Sequence, residues 1–227
     1  MPAVTIGRMA ESPAFADETL AGFIDHLASA APIPGGGSAA AVAASLAASL
    51  VAMVASLSRG RAAYEPYLAT IERTDAEGRR LAARCLALAD DDAHAYGTFA
   101  AAMKMPRATD EEKAGRTAAL GEAATVAAQV PLAVVLCCRE IVVAAEELAG
   151  RSNRNASSDL AVSAHLAVAA AHSAAENVRV NLPTVPDREV ADALAFRTDE
   201  AVADVERIAR AVRSVVAAGS AREPLER

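Results

Sequence analysis

Between Ser38 and Leu57 the chain runs for 20 residues without a charge. That is the length of a bilayer span. Most of these residues are Ala and Ser, however, with Leu46, Leu50, Val51, Met53, Val54 and Leu57 as the bulky minority. Ala and Ser contribute little to membrane insertion compared with Leu, Ile or Phe. A slim helix without a polar face is what the centre of a helical bundle requires. The rest of the chain agrees: about a quarter of its 227 residues are Ala, aromatics are 3%, and there is no Trp. Ala is the best helix former and is depleted in sheets, so the expectation is an all-α fold of close-packed helices. At 53% hydrophobic and 22% charged residues, the chain carries enough apolar side chains to bury one substantial core.

Punctuation along the sequence divides it into about six antiparallel helices. Asp17 is placed to cap a first helix from Glu18 to about Ser29, ended by Ala31-Pro32. Gly35-Gly36-Gly37 lead into the uncharged helix. Pro66 fits the first turn of a third helix that continues to about Met103, and Pro106 stops it. Thr109 with Glu112 matches a capping box. Pro131 falls inside the helix that follows and is expected to kink or split it. A polar turn after Gly150 precedes a helix from about Ser158 to Val180, broken by Pro183 and Pro186. Asp187 caps the last, with Gly219 in the stop position after Ala218. No linker or internal repeat divides residues 1–227, so a single helical domain is expected.

Lys and Arg number 22 against 29 Asp and Glu, a net charge of −7. This argues against nucleic acid or an anionic membrane as partner. Three cysteines, two of them adjacent (Cys137 and Cys138), make no disulfide framework and no CxxC. With no apolar signal core in the first residues, a reduced cytoplasmic setting is expected.

Three clusters carry polar chemistry. Gly35, Gly36, Gly37 and Ser38 put bare backbone at a helix start, where free amides and the helix dipole favour an anion; a tight turn needing Gly for φ or space is the plainer reading. Asp90, Asp91, Asp92, His94 and Tyr96 lie in mid-helix. Asp92 and Tyr96, four apart, share a face suited to proton transfer if partly desolvated. Asp90 and His94 share another, too sparse a set for a metal site. Asn153, Asn155, Ser158 and Asp159 open a helix that ends in Asn177 and Asn181; Ser158 and Asp159 also suit a cap. His165 and His172 in that helix read as core or interface residues.

The elements FIDHLASAAPIPGGGSAAA, LADDDAHAYGTF, KMPRATDEEKAGR, the VPL of Val130 to Leu132, NRNASSDL and AENVRVNLP occur in this order. With them the chain resembles the cyclodeaminase/cyclohydrolase family from about Leu20 to Val216. That family includes the C-terminal domain of formiminotransferase-cyclodeaminase and stand-alone methenyltetrahydrofolate cyclohydrolases. One departure is Ser152, where the family usually has Gly. The resemblance implies an all-helical homodimer acting on a one-carbon tetrahydrofolate substrate, as methenyltetrahydrofolate cyclohydrolase or formiminotetrahydrofolate cyclodeaminase, with no metal, nucleotide or redox cofactor. Both reactions pass through a tetrahedral carbon between two folate nitrogens and need a positioned carboxylate. Asp159 and Asp92 are the candidates, with Tyr96, Asn153 and Asn155 orienting the pterin or water. Ser158, Asn177 and Asn181 complete the substrate contacts. The Gly35–Ser38 turn, Lys104 and Arg116 are expected to hold the glutamate carboxylates. A non-folate amidine or imine substrate, and a silent helical scaffold, stay open as alternatives.

Overall fold

The computed structural model describes residues 15–225. Six α-helices account for most of them: α1 (Leu20–Leu27), α2 (Gly36–Ser58), α3 (Leu68–Met103), α4 (Asp110–Leu148), α5 (Ser157–Asn181) and α6 (Arg188–Ala218). No strand occurs among the described residues.

The uncharged helix α2 lies at the centre, packed against α3, α4 and α5. Its Ala40, Ala41, Ala44, Ala47, Ala48 and Ala55 are buried at 3% exposure or less. Small side chains let backbones approach: a Cβ on Gly78 of α3 would stand 2.9 Å from the Ala52 amide nitrogen of α2. Leucines and valines fill the wider spaces, with Leu81, Leu88, Val135, Ile141, Leu148 and Leu160 fully buried. All three cysteines are buried and unpaired, and burial pushes the Cys138 thiol above its ordinary range.

The local start and stop signals act as the sequence suggests. Thr109 Oγ1 accepts from the Glu112 amide at 3.1 Å while the Glu112 carboxylate accepts from the Thr109 amide, a complete capping box. Asp187 caps α6 through the Glu189 and Val190 amides. Gly219 ends it at φ 65°. The first helix is shorter than expected, because Thr19, not Asp17, accepts from Gly22.

Pro131 neither breaks nor divides α4, which is continuous for 39 residues. A proline there withholds the amide that would bond the carbonyl four residues back. That carbonyl belongs to Ala127, and it accepts instead from Asn181 Nδ2 at 3.1 Å. A side chain 54 positions later makes good the missing backbone bond.

α5 runs antiparallel to α2. Ser163 Oγ donates to the Ala47 carbonyl at 2.8 Å, Gly36 faces Asn177, and the Asn153 side chain meets Leu57. The two ends of α5 are thus the two ends of the molecule's central layer. His165 and His172 lie on the solvent side of α5, not in the core, and His172 Nε2 is 2.7 Å from Glu206 of α6.

Candidate active site

At the end of the central layer where α2 begins and α5 ends, a cleft of about 330 Å³ is lined by the Pro32–Gly37 turn, Asp92, Ala95, Tyr96 and Phe99 of α3, Ala127 of α4, and Asn177, Val180 and Asn181 of α5. The structure therefore brings together Gly35, Gly36, Gly37, Asp92, Tyr96, Asn177 and Asn181 from three separate stretches of chain.

The glycines are needed here for room. None of the three has a positive φ; among described residues only Gly60, Gly150 and Gly219 do. A Cβ on Gly37 would fall on the Asp92 carboxylate, whereas one on Gly36 would stand 3.7 Å from Asn177 Nδ2, an ordinary contact. Gly35 is the N-cap of α2 and offers no side chain to its first-turn amides. Asp92 supplies what is missing: its Oδ2 accepts from Ser38 Oγ at 2.9 Å, and the Ser38 amide also points to it. The helix start expected to attract an anion thus already faces a carboxylate of the chain itself.

Burial is the dominant influence on Asp92, and it holds the carboxyl above the ordinary Asp range despite the two hydrogen bonds from Ser38. A carboxyl so displaced exchanges protons nearer neutrality than a surface Asp. Its neighbours in mid-helix serve structure. Asp90 accepts from the Phe15 amide at 2.8 Å, Asp91 lies 3.5 Å from Arg84, and His94 is exposed. Tyr96, 42% exposed, follows Asp92 by one helical turn and faces the same cleft. Phe99, which sequence reading passed over, continues that wall; its i, i+3 spacing from Tyr96 is the signal that would have found it.

The second expected group stands elsewhere. Asp159 and Asn177 are 18 residues apart on one helix, roughly 27 Å at 1.5 Å per residue. Asn153, Asn155, Ser158 and Asp159 are at the far end of α5. There the backbone amide of Asn153 donates to Ser58 Oγ at 2.7 Å, its Nδ2 to Leu57 at 3.2 Å, and its Oδ1 accepts from the Asn155 amide at 3.1 Å. Asn153 is 5% exposed and is spent on holding the turn. Ser158 is exposed and Asp159 half-buried. Ser152 Oγ donates to the Leu148 carbonyl at 2.9 Å, so this departure from the usual Gly is accommodated inside the turn. Lys104 and Arg116 do not line the cleft; Lys104 is the C-cap of α3, and Arg116 of α4 lies 3.3 Å from the Met103 carbonyl.

Comparison with known proteins bears on the fold and the family. A family model described as formiminotransferase-cyclodeaminase matches residues 19–200. A methenyltetrahydrofolate cyclohydrolase of Methylorubrum extorquens is 37% identical over 204 residues, 88% of this chain and 98% of that protein. A formimidoyltransferase-cyclodeaminase of Sus scrofa is 36% identical over 165 residues, 73% of this chain and 30% of the relative, so the chain spans about a third of such proteins. The crystal structure of a formiminotetrahydrofolate cyclodeaminase from Thermotoga maritima superposes with a TM-score of 0.81 at 26% identity, covering 89% of this chain and 98% of that one. The chain therefore belongs to the formiminotransferase-cyclodeaminase family.

Proposed function

We propose that this chain is an enzyme of tetrahydrofolate one-carbon interconversion, working at the C–N bonds of the one-carbon unit in the glycine-turn cleft, with Asp92 as its acid–base group. The observation that carries the assignment is Asp92 itself. It is a partly desolvated carboxylate with raised proton affinity, opening into a cleft walled by Tyr96, Phe99, Asn177 and Asn181. The full-length similarity to a methenyltetrahydrofolate cyclohydrolase favours hydrolysis. In that reaction water adds to the methenyl carbon, its proton passes to the carboxylate, and the tetrahedral adduct opens when a proton reaches one ring nitrogen. A negative carboxylate beside the methenyl cation also lowers the energy of the charged species. Asp92 serves both purposes, Tyr96 O–H is the nearest second proton carrier on the same face, and Asn177 and Asn181 orient the pterin. No cofactor enters this scheme.

The Thermotoga maritima likeness favours a second reaction at the same site, ring closure of the formimino group with loss of ammonia, in which the same carboxyl protonates the leaving amine. Offering methenyltetrahydrofolate and formiminotetrahydrofolate side by side to the purified protein, and following each spectroscopically, decides between them. Turnover of neither overturns the reading.

The reading includes a homodimer. The outward side of the α2–α5 layer exposes Leu46 (52%), Met53 (38%), Leu57 (44%) and Val162 (46%), and α2 carries no charged residue along its length. An exposed helix face without one charge favours a second copy of the same face over water. Sedimentation as a monomer at micromolar concentration would sink this part.

A further inference from the structure

The cleft chemistry uses none of the three cysteines, yet two of them meet across the seam between α3 and α4. Ion pairs fix the register of that seam. Arg73 meets Glu147 and Arg80 meets Glu140, so a step along α3 matches an equal step back along α4. Farther on, Ala102 and Ala123 border one depression. Between these points Cys85 of α3 falls opposite residues 135–137 of α4. Both side chains turn into the seam: Cys85 continues the buried stripe of Leu81 and Leu88, and Cys137 that of Val134 and Ile141. Their thiols are within hydrogen-bonding reach of each other. Cys138 is turned about 100° away from Cys137 at 3.6 residues per turn.

The environment divides the labour between the two sulfurs. The hydrogen bond from Cys85 holds the Cys137 thiol below its ordinary range despite burial, and Arg84 and Arg80 act in the same direction. That bond and burial push Cys85 the other way. A thiolate attacks an oxidant, and a neighbouring thiol resolves the product. A small oxidant also has a way in. A depression of about 320 Å³ between α3 and α4 is bordered by Glu140, Val143 and Ala144. Glu140 and Ala144 lie one and two turns beyond Cys137 and share its face. Cys137 is itself 7% exposed, whereas Cys85 and Cys138 are at 0%.

We propose that Cys85 and Cys137 form an oxidisable pair, a modification site at which a peroxide-class oxidant converts two thiols into one disulfide joining α3 to α4. With hydrogen peroxide the Cys137 sulfur attacks one oxygen, the O–O bond breaks, and Cys137 becomes a sulfenic acid as the first water leaves. The Cys85 sulfur then attacks that sulfur, the S–O bond breaks, and the second water carries off the Cys85 proton. Two thiols are oxidised and one peroxide is reduced to two waters. The bond closes a loop of about 50 residues and clamps α3, which carries Asp92 two turns beyond Cys85, against α4. A dithiol reopens it by exchange.

The test needs no substrate. Hydrogen peroxide is added to the reduced, purified protein, remaining thiols are alkylated, and the products are mapped by mass spectrometry. Cys138 should remain the one alkylated cysteine of the three, with Cys85 and Cys137 recovered in one linked peptide pair and the intact chain lighter by two hydrogens. Dithiothreitol should restore all three thiols. Cys138→Ala should form the same link. Cys85→Ala, a size that suits the Ala-rich seam, should stop at a sulfenic acid that dimedone traps at Cys137. The oxidised protein should unfold at a higher denaturant midpoint than the reduced one, because a cross-link restricts the unfolded chain. Three intact thiols after a peroxide dose that oxidises glutathione in the same tube would overturn the pair, as would a link through Cys138 or between two chains. The wild-type map decides this even where a variant fails to fold. An unchanged midpoint would overturn the clamp, and a Cys85→Ala chain without the dimedone adduct would overturn Cys137 as the attacking sulfur.

Discussion

The two ends of α5 carry nearly the same residue types, yet only one of them borders a cleft that holds a buried carboxylate. At its start, asparagines and serines are consumed by backbone: Asn153 engages Ser58, Leu57 and Asn155, and Tyr64 Oη accepts from the Arg154 amide at 2.9 Å. The C-terminal segment ties this end down further, with the Arg222 amide donating to Gly150 and Tyr67 Oη donating to the Arg222 carbonyl. At its finish, Asn177 and Asn181 line open space opposite a carboxylate. An Asn-rich motif is thus a turn-builder at one end, whereas at the other its N–H groups also go largely to backbone carbonyls while the side chains line a cavity. Asp92 sits between these extremes, since it caps a helix across 54 residues and faces the cleft at the same time.

The sharpest way to break this contrast is to neutralise one acid at each end. Asp92→Asn should lower turnover by ~10²–10⁴-fold, the usual effect of losing a positioned acid or base, because the amide still accepts from Ser38 but cannot exchange a proton. Asp159→Asn should leave turnover within about threefold, since Asn replaces Asp at a helix start with little loss. A collapse in Asp159→Asn and near-native rates in Asp92→Asn, read in the same assay, would exchange the roles of the two ends.

Glycine substitutions probe the cleft end next. Gly37→Ala places a methyl on the Asp92 carboxylate and should cost about 1–3 kcal/mol of stability, as overpacking does, together with most of the turnover. Gly36→Ala meets only van der Waals contact and should leave both nearly unchanged, within about 0.5 kcal/mol. Matching losses in the two variants, by denaturant melts and rates together, would mean that room for Asp92 is not what the glycines provide.

At the turn-building end, Ser58→Ala removes the buried acceptor of the Asn153 amide and should destabilise by about 1–3 kcal/mol with the rate constant unchanged. A variant that melts like wild type but turns over slowly would move chemistry back to the NRN turn.

The smallest effect concerns pH. Burial raises the folded-state affinity of Asp92 for its proton, so this group favours folding while protonated and ceases to do so as pH rises through its folded value. Asp92→Asn should therefore melt at or above the wild-type temperature at pH 8, and the advantage should vanish below about pH 4, the ordinary Asp range. A variant less stable than wild type at pH 8 would show the charged cap outweighing desolvation.

Helix starts and stops were readable in the sequence because their signals are local: Thr109 with Glu112, Asp187, Gly219. The continuity of α4 was not, since the partner of its freed carbonyl, Asn181, lies 54 positions away and no nearby residue announces it. Asp92 and Tyr96 were readable as a pair from their spacing. That Asp92 caps α2 was hidden for the same reason as Asn181. The separation of Asp159 from Asn177 was available from the rise of a 25-residue helix, and grouping the two by composition passed over that arithmetic. Lys104 and Arg116 drew notice as charges, yet neither lines the cleft.

The bond between Asn181 and Ala127 also fixes what the cleft can say to a ligand. A carboxamide has two hydrogens, and those of Asn181 are directed to the Ala127 and Asn177 carbonyls at 3.1 and 2.8 Å. Asn177 gives one of its own to Ser173 at 2.9 Å. What remains toward the cavity is rich in lone pairs: two amide oxygens and the Asp92 carboxylate, against one amide hydrogen and the Tyr96 hydroxyl. The surface therefore favours a guest that presents N–H groups over one that presents only lone pairs.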